Sequence, residues 1–494
     1  MIQEEQQRRE RLAHLREIGQ NPYPARVKRD LSIQKFLKDF EDLTASQKKV
    51  SLVGRLRSLR KHGGLTFLTL DDGSGAVQIV CTKDALSEDV YATFGKTVDV
   101  ADFLEVTGHP FLTQKGERSL KITHYQIITK TLLPLPEKWH GLCDVETRYR
   151  QRYLDLIMNT EVKQKMMQRS LIITAIRTVM QTKGFIEVET PTLQPIYGGG
   201  FARPFKTHHH TLDADFYLRI SDEMYLKRLL VGGFEKVYEI TKVFRNEGMD
   251  RDHNPEFTMF EAQVAYEDYR YGMDLFEEIF ETSAKTVLGT TQIVHEDMVI
   301  DVKRPWPRLT LVESVQSIGG VDVSHWQNAD EAKKELAKKL PTNKGTELER
   351  MHTIGEIIAF AFEELVEEKL LQPTIIYDYP VEVSPLAKKG VDPRFSERFE
   401  AFALGSEIGN NYSELNDPLD LTQRFIEEKK KAEAGFEEAH QTDLDYLEAI
   451  KHGMPPACGL GIGIDRMVML LTGSSNIKEV ILFPTLRPLD TDAS

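Results

Sequence analysis

Between Val50 and Lys130, apolar and polar positions alternate in short runs. The runs are separated by His62-Gly63-Gly64, Asp72-Gly73-Ser74-Gly75 and Lys115-Gly116. A period of two places successive side chains on opposite faces of a strand, and glycine-rich breaks mark turns. Five such strands in about 80 residues predict a small all-β barrel, with the oligonucleotide-binding (OB) fold as one option. Upstream, residues 1–18 read as a charged helix closed by Gly19, and residues 31–43 as a second short helix. Leu133-Pro134-Leu135-Pro136 reads as a stiff linker. Beyond it the spacing predicts a helix from about Glu161 to Lys183 that feeds a strand over Phe185–Pro191. Further strands are expected around 216–221, 235–244 and 257–266, a helix over 272–288, and charge-rich solvated helices at 330–340 and 424–438. Strands interrupted by long helical stretches predict an α+β domain on a large antiparallel sheet. The expected division is 1–140 for helix and barrel and 141–494 for the α+β domain.

The 494 residues are enough for more than one core, and 40% hydrophobic with 28% charged residues is an ordinary globular balance. No apolar run approaches the ~18 residues of a membrane span. The charged start lacks the apolar segment of a secretory signal, so no membrane partner and a cytoplasmic location are expected. Cys81, Cys143 and Cys458 lie far apart without CxxC spacing, which argues against a disulfide framework or a cysteine zinc site. A net charge of −14 argues against general nucleic-acid binding. The charge is uneven, however. Residues 1–150 carry 24 basic and 20 acidic side chains, and the remainder 39 and 57. A polyanion would therefore engage the first part more readily, although an ordinary solvated surface gives the same balance.

Three segments carry candidate chemistry. Lys183–Pro191 is a helix end with Gly184 feeding a strand stopped by Pro191. Val243-Phe244-Arg245-Asn246-Glu247 ends a strand, and the polar loop returns through His253-Asn254-Pro255-Glu256-Phe257. An arginine there can clamp phosphate and carboxylate by forked hydrogen bonds. Gly459 to Met467 alternates glycines in a strand and puts Arg466 at the start of a helix, where backbone and side chain both favour phosphate.

In this order and spacing, the three segments resemble the signature motifs of class II aminoacyl-tRNA synthetases. Segments 148–156, 202–209, 225–240, 382–389, 397–402 and 413–418 look like the lysyl branch. The resemblance implies an antiparallel catalytic domain, a barrel that binds the anticodon of tRNA(Lys), and a homodimer formed through the first motif. It also implies ATP-dependent activation of L-lysine with Mg²⁺ as cofactor. By the same resemblance, Arg245 and Arg466 are catalytic and bracket the phosphates, with His253 at the outer phosphates and Asn254 and Glu400 in the ATP site. Phe257 stacks on adenine and Glu247 meets the base edge. Glu400 and Glu407 hold the metal. Glu261 and Glu414 take the lysine ε-ammonium, and Glu223 with the backbone at Gly199 takes the α-amino group. Arg245 takes the carboxylate, and Asn410 and Tyr412 complete the lysine site. In the barrel, Arg60, Phe67, Gln78 and Glu117 stand at anticodon-reading positions. A strand-core role for Phe67 is the alternative.

The chain departs from the family pattern at three places. Gln263 stands where a Tyr is usual, Asn411-Tyr412 replaces Gly-Phe, and Phe201 interrupts a run of small residues. His208-His209-His210 is not read as a metal cluster, because neighbours along a strand face opposite sides. Arg8, Arg9, Arg11 and Arg16 could touch tRNA or form a solvated face. On helix 161–183, Val162, Met166, Leu171, Ile173, Ile176 and Val179 suit an internal core as well as a dimer. A protein-modifying lysyl ligase would lack the barrel, and a non-catalytic or substrate-shifted paralogue would be expected to lose Arg245, Glu407 or Arg466.

Overall fold

The computed structural model describes residues 2–136, 142–200, 202–433 and 443–489, so Phe201 and the 434–438 end of an expected helix lie outside the described residues. Two compact units are present, Met1–Cys143 and Asp144–Ser494.

In the first unit, β1 (Val50–His62), β2 (Leu65–Asp71), β3 (Ala76–Thr82), β4 (Phe103–Leu112) and β5 (Arg118–Thr129) close into a barrel in the order β1-β2-β3-β5-β4. Only β3 and β5 pair in parallel. Leu68, Leu70, Val77, Ile79, Val106 and Ile122 fill the interior, while Phe67, Thr69 and Gln78 alternate outward. The connection from β3 to β4 contains two helices, Lys83–Leu86 and Glu88–Thr97, which send Tyr91 and Phe94 into the core. The helix expected over 31–43 is broken at Asp39 into Ile33–Lys38 and Phe40–Ala45.

The N-terminal helix Ile2–Glu17 is fastened by its arginines. Arg8 donates to Val100 O at 3.1 Å and Thr131 Oγ1 at 2.8 Å, Arg11 pairs with Asp99, and Arg9 pairs with Glu5. Beneath them Lys130 is fully buried, donating to Thr97 O at 2.8 Å and Asp102 at 2.7 Å and pairing with Asp99. A buried ammonium requires partners of this kind.

The second unit contains β6 (Ile186–Glu187), then a small sheet of β7 (Leu193–Gln194), β8 (Lys206–His209) and β9 (Ala214–Leu218). These are followed by β10 (Lys236–Phe244), β11 (Glu256–Ala265) and a hairpin of β12 (Gln292–His295) and β13 (Met298–Asp301). The remaining strands are β14 (Arg308–Thr310), β15 (Thr374–Pro380), β16 (Phe395–Ala403), β17 (Ser406–Ser413) and β18 (Ala457–Gly463). Eight of them form one sheet in the order β14-β15-β16-β17-β18-β11-β10-β6, antiparallel except at its two edges.

Strand alternation gives this sheet two unlike faces. Phe260, Ala262, Val264, Phe399, Ala401, Cys458, Leu460 and Ile462 pack into one core with the helices Thr160–Thr182, Tyr269–Leu288 and Ile464–Thr472. The opposite side chains of the same strands are polar or absent: Glu261, Gln263, Arg398, Glu400, Gly459 and Gly461. That is the sequence of a sheet that buries one face and reserves the other.

Three local expectations are corrected. Only Ile186 and Glu187 of the 185–191 segment form strand, pairing with Val237 and Tyr238. Ile220 and Ser221 leave the strand early, ahead of the helix Glu223–Val231. The helix Pro418–Glu433 is not a solvated face, because Leu421, Arg424, Phe425 and Glu428 are all buried. On the helix Thr160–Thr182, Val162, Met166, Ile176 and Val179 are buried and Leu171 is exposed. No described helix is long and apolar enough to cross a membrane.

Candidate active site

A cavity of about 290 Å³ opens on the reserved face of the sheet. Its lining includes Gly199, Glu223, Arg245, Glu247, His253, Asn254, Phe257, Glu261, Glu407, Asn410, Tyr412, Glu414 and Arg466. Of the catalytic-unit residues expected from sequence, only Glu400 is outside it. A second hollow of about 210 Å³ shares Gly199, Glu223, Arg245, Asn410 and Tyr412 and continues to Ser384–Ala387 and Arg398.

Arg245 follows β10, where its N–H donates to Pro255 O at 2.9 Å and closes the 246–254 loop. Its guanidinium lies over the Phe257 ring at 5.2 Å, and its Nε is buried without a hydrogen-bond partner. Burial lowers its pKa, against the pull of Glu247, Glu407 and Glu261. Such a group gains strongly from an incoming anion. Arg466, in the first turn of the helix Ile464–Thr472, donates to Glu407 O at 2.8 Å and contacts His253 Nε2 at 3.0 Å. A guanidinium only donates, so Nε2 accepts and the proton sits on Nδ1, which lies 2.9 Å from Asp250. The geometry thus sets the tautomer of His253. Asn254 braces the loop, donating to Glu256 O at 2.6 Å.

The helix Thr160–Thr182, which leads into the first motif, is also tied to the third by a contact the sequence did not announce. Arg169 donates to Asp465 Oδ1 at 2.6 Å and to Thr258 Oγ1 at 2.9 Å, and Thr258 N–H donates to Asp465 Oδ2 at 2.7 Å.

The other end of the cavity is acidic. Glu261 is buried and accepts from Ser221 Oγ at 2.7 Å. Burial, with Asp222 and Glu223 nearby, holds its pKa well above the usual carboxylate range. Glu414 is buried too, and burial pushes it up to about 7 against the opposing pull of Lys227. Gln263 Nε2 donates to Glu414 Oε1 at 2.8 Å. Gly459 makes room for that pair, since a Cβ there would stand 2.5 Å from Glu414 Oε1. Tyr412 OH donates to Glu223, and Lys227 bridges Glu223 and Glu414. Gly199 has φ +83°, and a Cβ there would lie 2.7 Å from Ser221 Oγ. Lys227 was missed from sequence, although its i+4 spacing from Glu223 on one helix was a usable signal. The departure at Asn411 has its own accommodation. Asn411 is buried against Gly272 in the helix Tyr269–Leu288, where a Cβ would sit 2.5 Å from Asn411 Cγ.

Glu400 pairs with Arg398 and accepts from Tyr379 OH at 2.8 Å. Burial pushes it up to about 7, Arg398 opposes, and Glu407 adds to the push. Glu407 accepts from Asn410 Nδ2 at 3.1 Å. Glu400 and Glu407, close enough for Glu407 to act on Glu400, are a fitting pair of ligands for a hard divalent cation. Among the described residues no three His, Cys, Asp or Glu side chains gather as a metal site, so the remaining ligands would come from substrate or water. His208 pairs with Asp213 and Asp215.

Comparison with known proteins agrees with this geometry. The family of tRNA synthetases class II (D, K and N) matches residues 144–487, and the OB-fold nucleic acid binding domain matches residues 50–128. The lysine–tRNA ligase of Pelotomaculum thermopropionicum is 49% identical over 482 residues, 97% of this chain and 94% of that one. Those of Carboxydothermus hydrogenoformans and Bacillus subtilis are 48% and 47% identical, covering 98% of this chain and 98% and 97% of theirs. The chain belongs to the lysine–tRNA ligase branch of the class II tRNA synthetases. On the barrel of this synthetase, Arg60, Phe67 and Gln78 stand at outward-facing positions of β1, β2 and β3. Arg60 and Phe67 are register partners across β1 and β2, and Gln78 faces Thr69 and Ser119 across β3. Gln78 Nε2 donates to Ser119 Oγ at 2.9 Å, and Glu117 is exposed in the β4–β5 turn. Phe67 is half-exposed beside His62 and not part of the barrel core.

Proposed function

We propose that this synthetase activates L-lysine with ATP and transfers it to tRNA(Lys). The observation that carries this reading is the union in one cavity of two buried carboxylates, Glu261 and Glu414, with the guanidinium of Arg245. Carboxylates buried this way disfavour amino acids without a side-chain cation, because the negative charge that Lys227 leaves uncancelled would stay buried.

The lysine carboxylate attacks the α-phosphorus of ATP, lysyl-adenylate forms and pyrophosphate leaves. A terminal ribose hydroxyl of the tRNA then attacks the adenylate carbonyl and AMP departs. The chain contributes position and charge to these steps. Arg245 orients the carboxylate and neutralises the α-phosphate. Arg466 faces the outer phosphates, and His253, held by Asp250, offers them a fixed contact. Phe257 presents a ring to adenine, with Glu247 at its edge. Gly199 and Glu223 hold the α-amino group, and Asn410 and Tyr412 line the space between. Glu400 and Glu407 would hold Mg²⁺, which when bound neutralises phosphate charge. Arg60, Phe67, Gln78 and Glu117 read unpaired anticodon bases by stacking and edge hydrogen bonds. Exposed Met167, Leu171 and Ile186 supply apolar surface for a homodimer. A cytoplasmic location fits an enzyme acting on tRNA.

Pyrophosphate exchange into ATP, measured against lysine, ornithine, β-lysine, arginine, aspartate and asparagine, tests this reading. Exchange driven by lysine is expected; exchange driven by another member alone, or by none, would overturn it.

A further inference from the structure

The acidic end of the cavity contains a cation that the proposed reaction does not use. Lys227 lies one turn after Glu223 and its side chain is 1% exposed. Its Nζ pairs with Glu223 Oε1, lies 2.5 Å from Glu414 Oε2, and sits 5.1 Å from the Tyr412 ring centroid. The remaining polar neighbours are accounted for. Tyr446 faces the ammonium from the helix Leu444–Lys451, and Gln263 donates to the second oxygen of Glu414. Arg228 is engaged by Asp443 and Asp445, and Glu239 by Arg219. Asp222, beside Glu261, is pushed up to about 8 by burial and Glu239 and is therefore neutral near pH 7.

We infer that Lys227 is a resident counter-ion that sets the charge of the amino-acid pocket to that of a diamino acid. The inference rests on the lysine reading above. Once an ammonium-bearing substrate has drawn their protons off, Glu223, Glu261 and Glu414 bring three negative charges, and Lys227 cancels one. Two remain for the two ammonium groups of a diamino acid, whose carboxylate goes to Arg245. Lys227 also spans the acceptor for the α-amino group and an acceptor for the ε-ammonium, so it fixes their separation. Without it, one buried carboxylate is in excess, and such a group takes up a proton rather than stay charged. A protonated carboxyl is a poor acceptor for an ammonium. Lys227 is thus a positioning residue that acts on the substrate through Glu223 and Glu414.

The test is lysine-dependent pyrophosphate exchange from pH 6 to 9 with wild type, Lys227→Met, Lys227→Arg and the charge-compensated Lys227→Met/Glu223→Gln. Wild-type exchange first decides the lysine reading on its own. Lys227→Met is expected to raise KM for lysine at least ~10-fold at pH 7, the cost of about one misplaced proton. KM for ATP stays near wild type, and the lysine defect shrinks as pH rises. Lys227→Arg restores most of the affinity. The compensated variant, which keeps an acceptor oxygen at 223 and carries no excess charge, should bind lysine better than Lys227→Met, or fold where that variant does not. A lysine KM within about twofold of wild type in Lys227→Met at every pH would overturn the inference. So would a compensated variant worse than the single one, since independent structural losses accumulate.

Discussion

Lysine binding to the empty synthetase should release protons, and its affinity should climb from pH 6 to pH 8. Burial pushes Glu414 up to about 7 even with Lys227 pulling it down, and Glu261 is likewise held well above the usual carboxylate range. Before lysine arrives, the protonated form of Glu414 therefore dominates at pH 6 and the ionised form at pH 8. An ammonium favours the ionised form, so binding draws the proton off. With a pKa of about 7, the ionised fraction rises from about one tenth to about nine tenths across that range, a gain of about tenfold in affinity from this group alone. Calorimetric titration of lysine in two buffers of different ionisation heat measures the proton count directly. ATP and Mg²⁺ are left out, which keeps Glu400, also near 7, from contributing. An affinity constant within about twofold from pH 6 to pH 8, with no proton released, would refute the reasoning and mean that Glu414 is already ionised in the empty pocket.

Arg245→Ala should lower lysine-dependent pyrophosphate exchange by about 10²–10³-fold, the usual loss for one preorganised donor to developing charge; tRNA affinity by filter binding should hardly change, and near-normal exchange would contradict the assigned role. Phe67→Ala should weaken tRNA(Lys) by about 1–3 kcal/mol through lost stacking and leave exchange untouched, so unaltered tRNA affinity would remove Phe67 from the anticodon surface. Lys130→Met leaves Asp102 buried without its cation and Asp99 with Arg11 alone, and should cost about 3–5 kcal/mol of stability, read from the urea midpoint of its unfolding; a loss below about 1 kcal/mol would show that Asp102 finds water.

The barrel strands and the reserved face of the large sheet were legible because alternation is a local signal. The run Cys458-Gly459-Leu460-Gly461-Ile462-Gly463 reads off a buried face and an empty one residue by residue. The helix Glu88–Thr97 left a weaker trace, with Tyr91 and Phe94 as its only large buried anchors. The 418–433 helix looked solvated because Arg424 and Glu428 are charged, and nothing local says they turn inward. Contacts such as Arg169 with Asp465 join residues nearly 300 apart in the chain, and a window along the sequence contains only one partner at a time. Glu261, Glu414 and Arg245 were reached through the family resemblance; Lys227 was signalled only by its i+4 spacing from Glu223, and the Gly459 recess needed the register of β11 against β18.

The fit of Asn411 against Gly272 also couples these two positions of the chain. With glycine at position 411, the side chain that a Cβ at position 272 would meet is absent. Once Asn411 is present, a Cβ at 272 lands inside its side chain. Asn411 in this position therefore goes with an empty position 272, at the roughly 0.5–1 kcal/mol that a glycine inside a helix costs. The coupling is asymmetric: Asn411→Gly leaves only a void, whereas Gly272→Ala meets a wall. The two positions are unequal partners: position 411 can be emptied without touching 272, whereas filling 272 forces the Asn411 side chain to move.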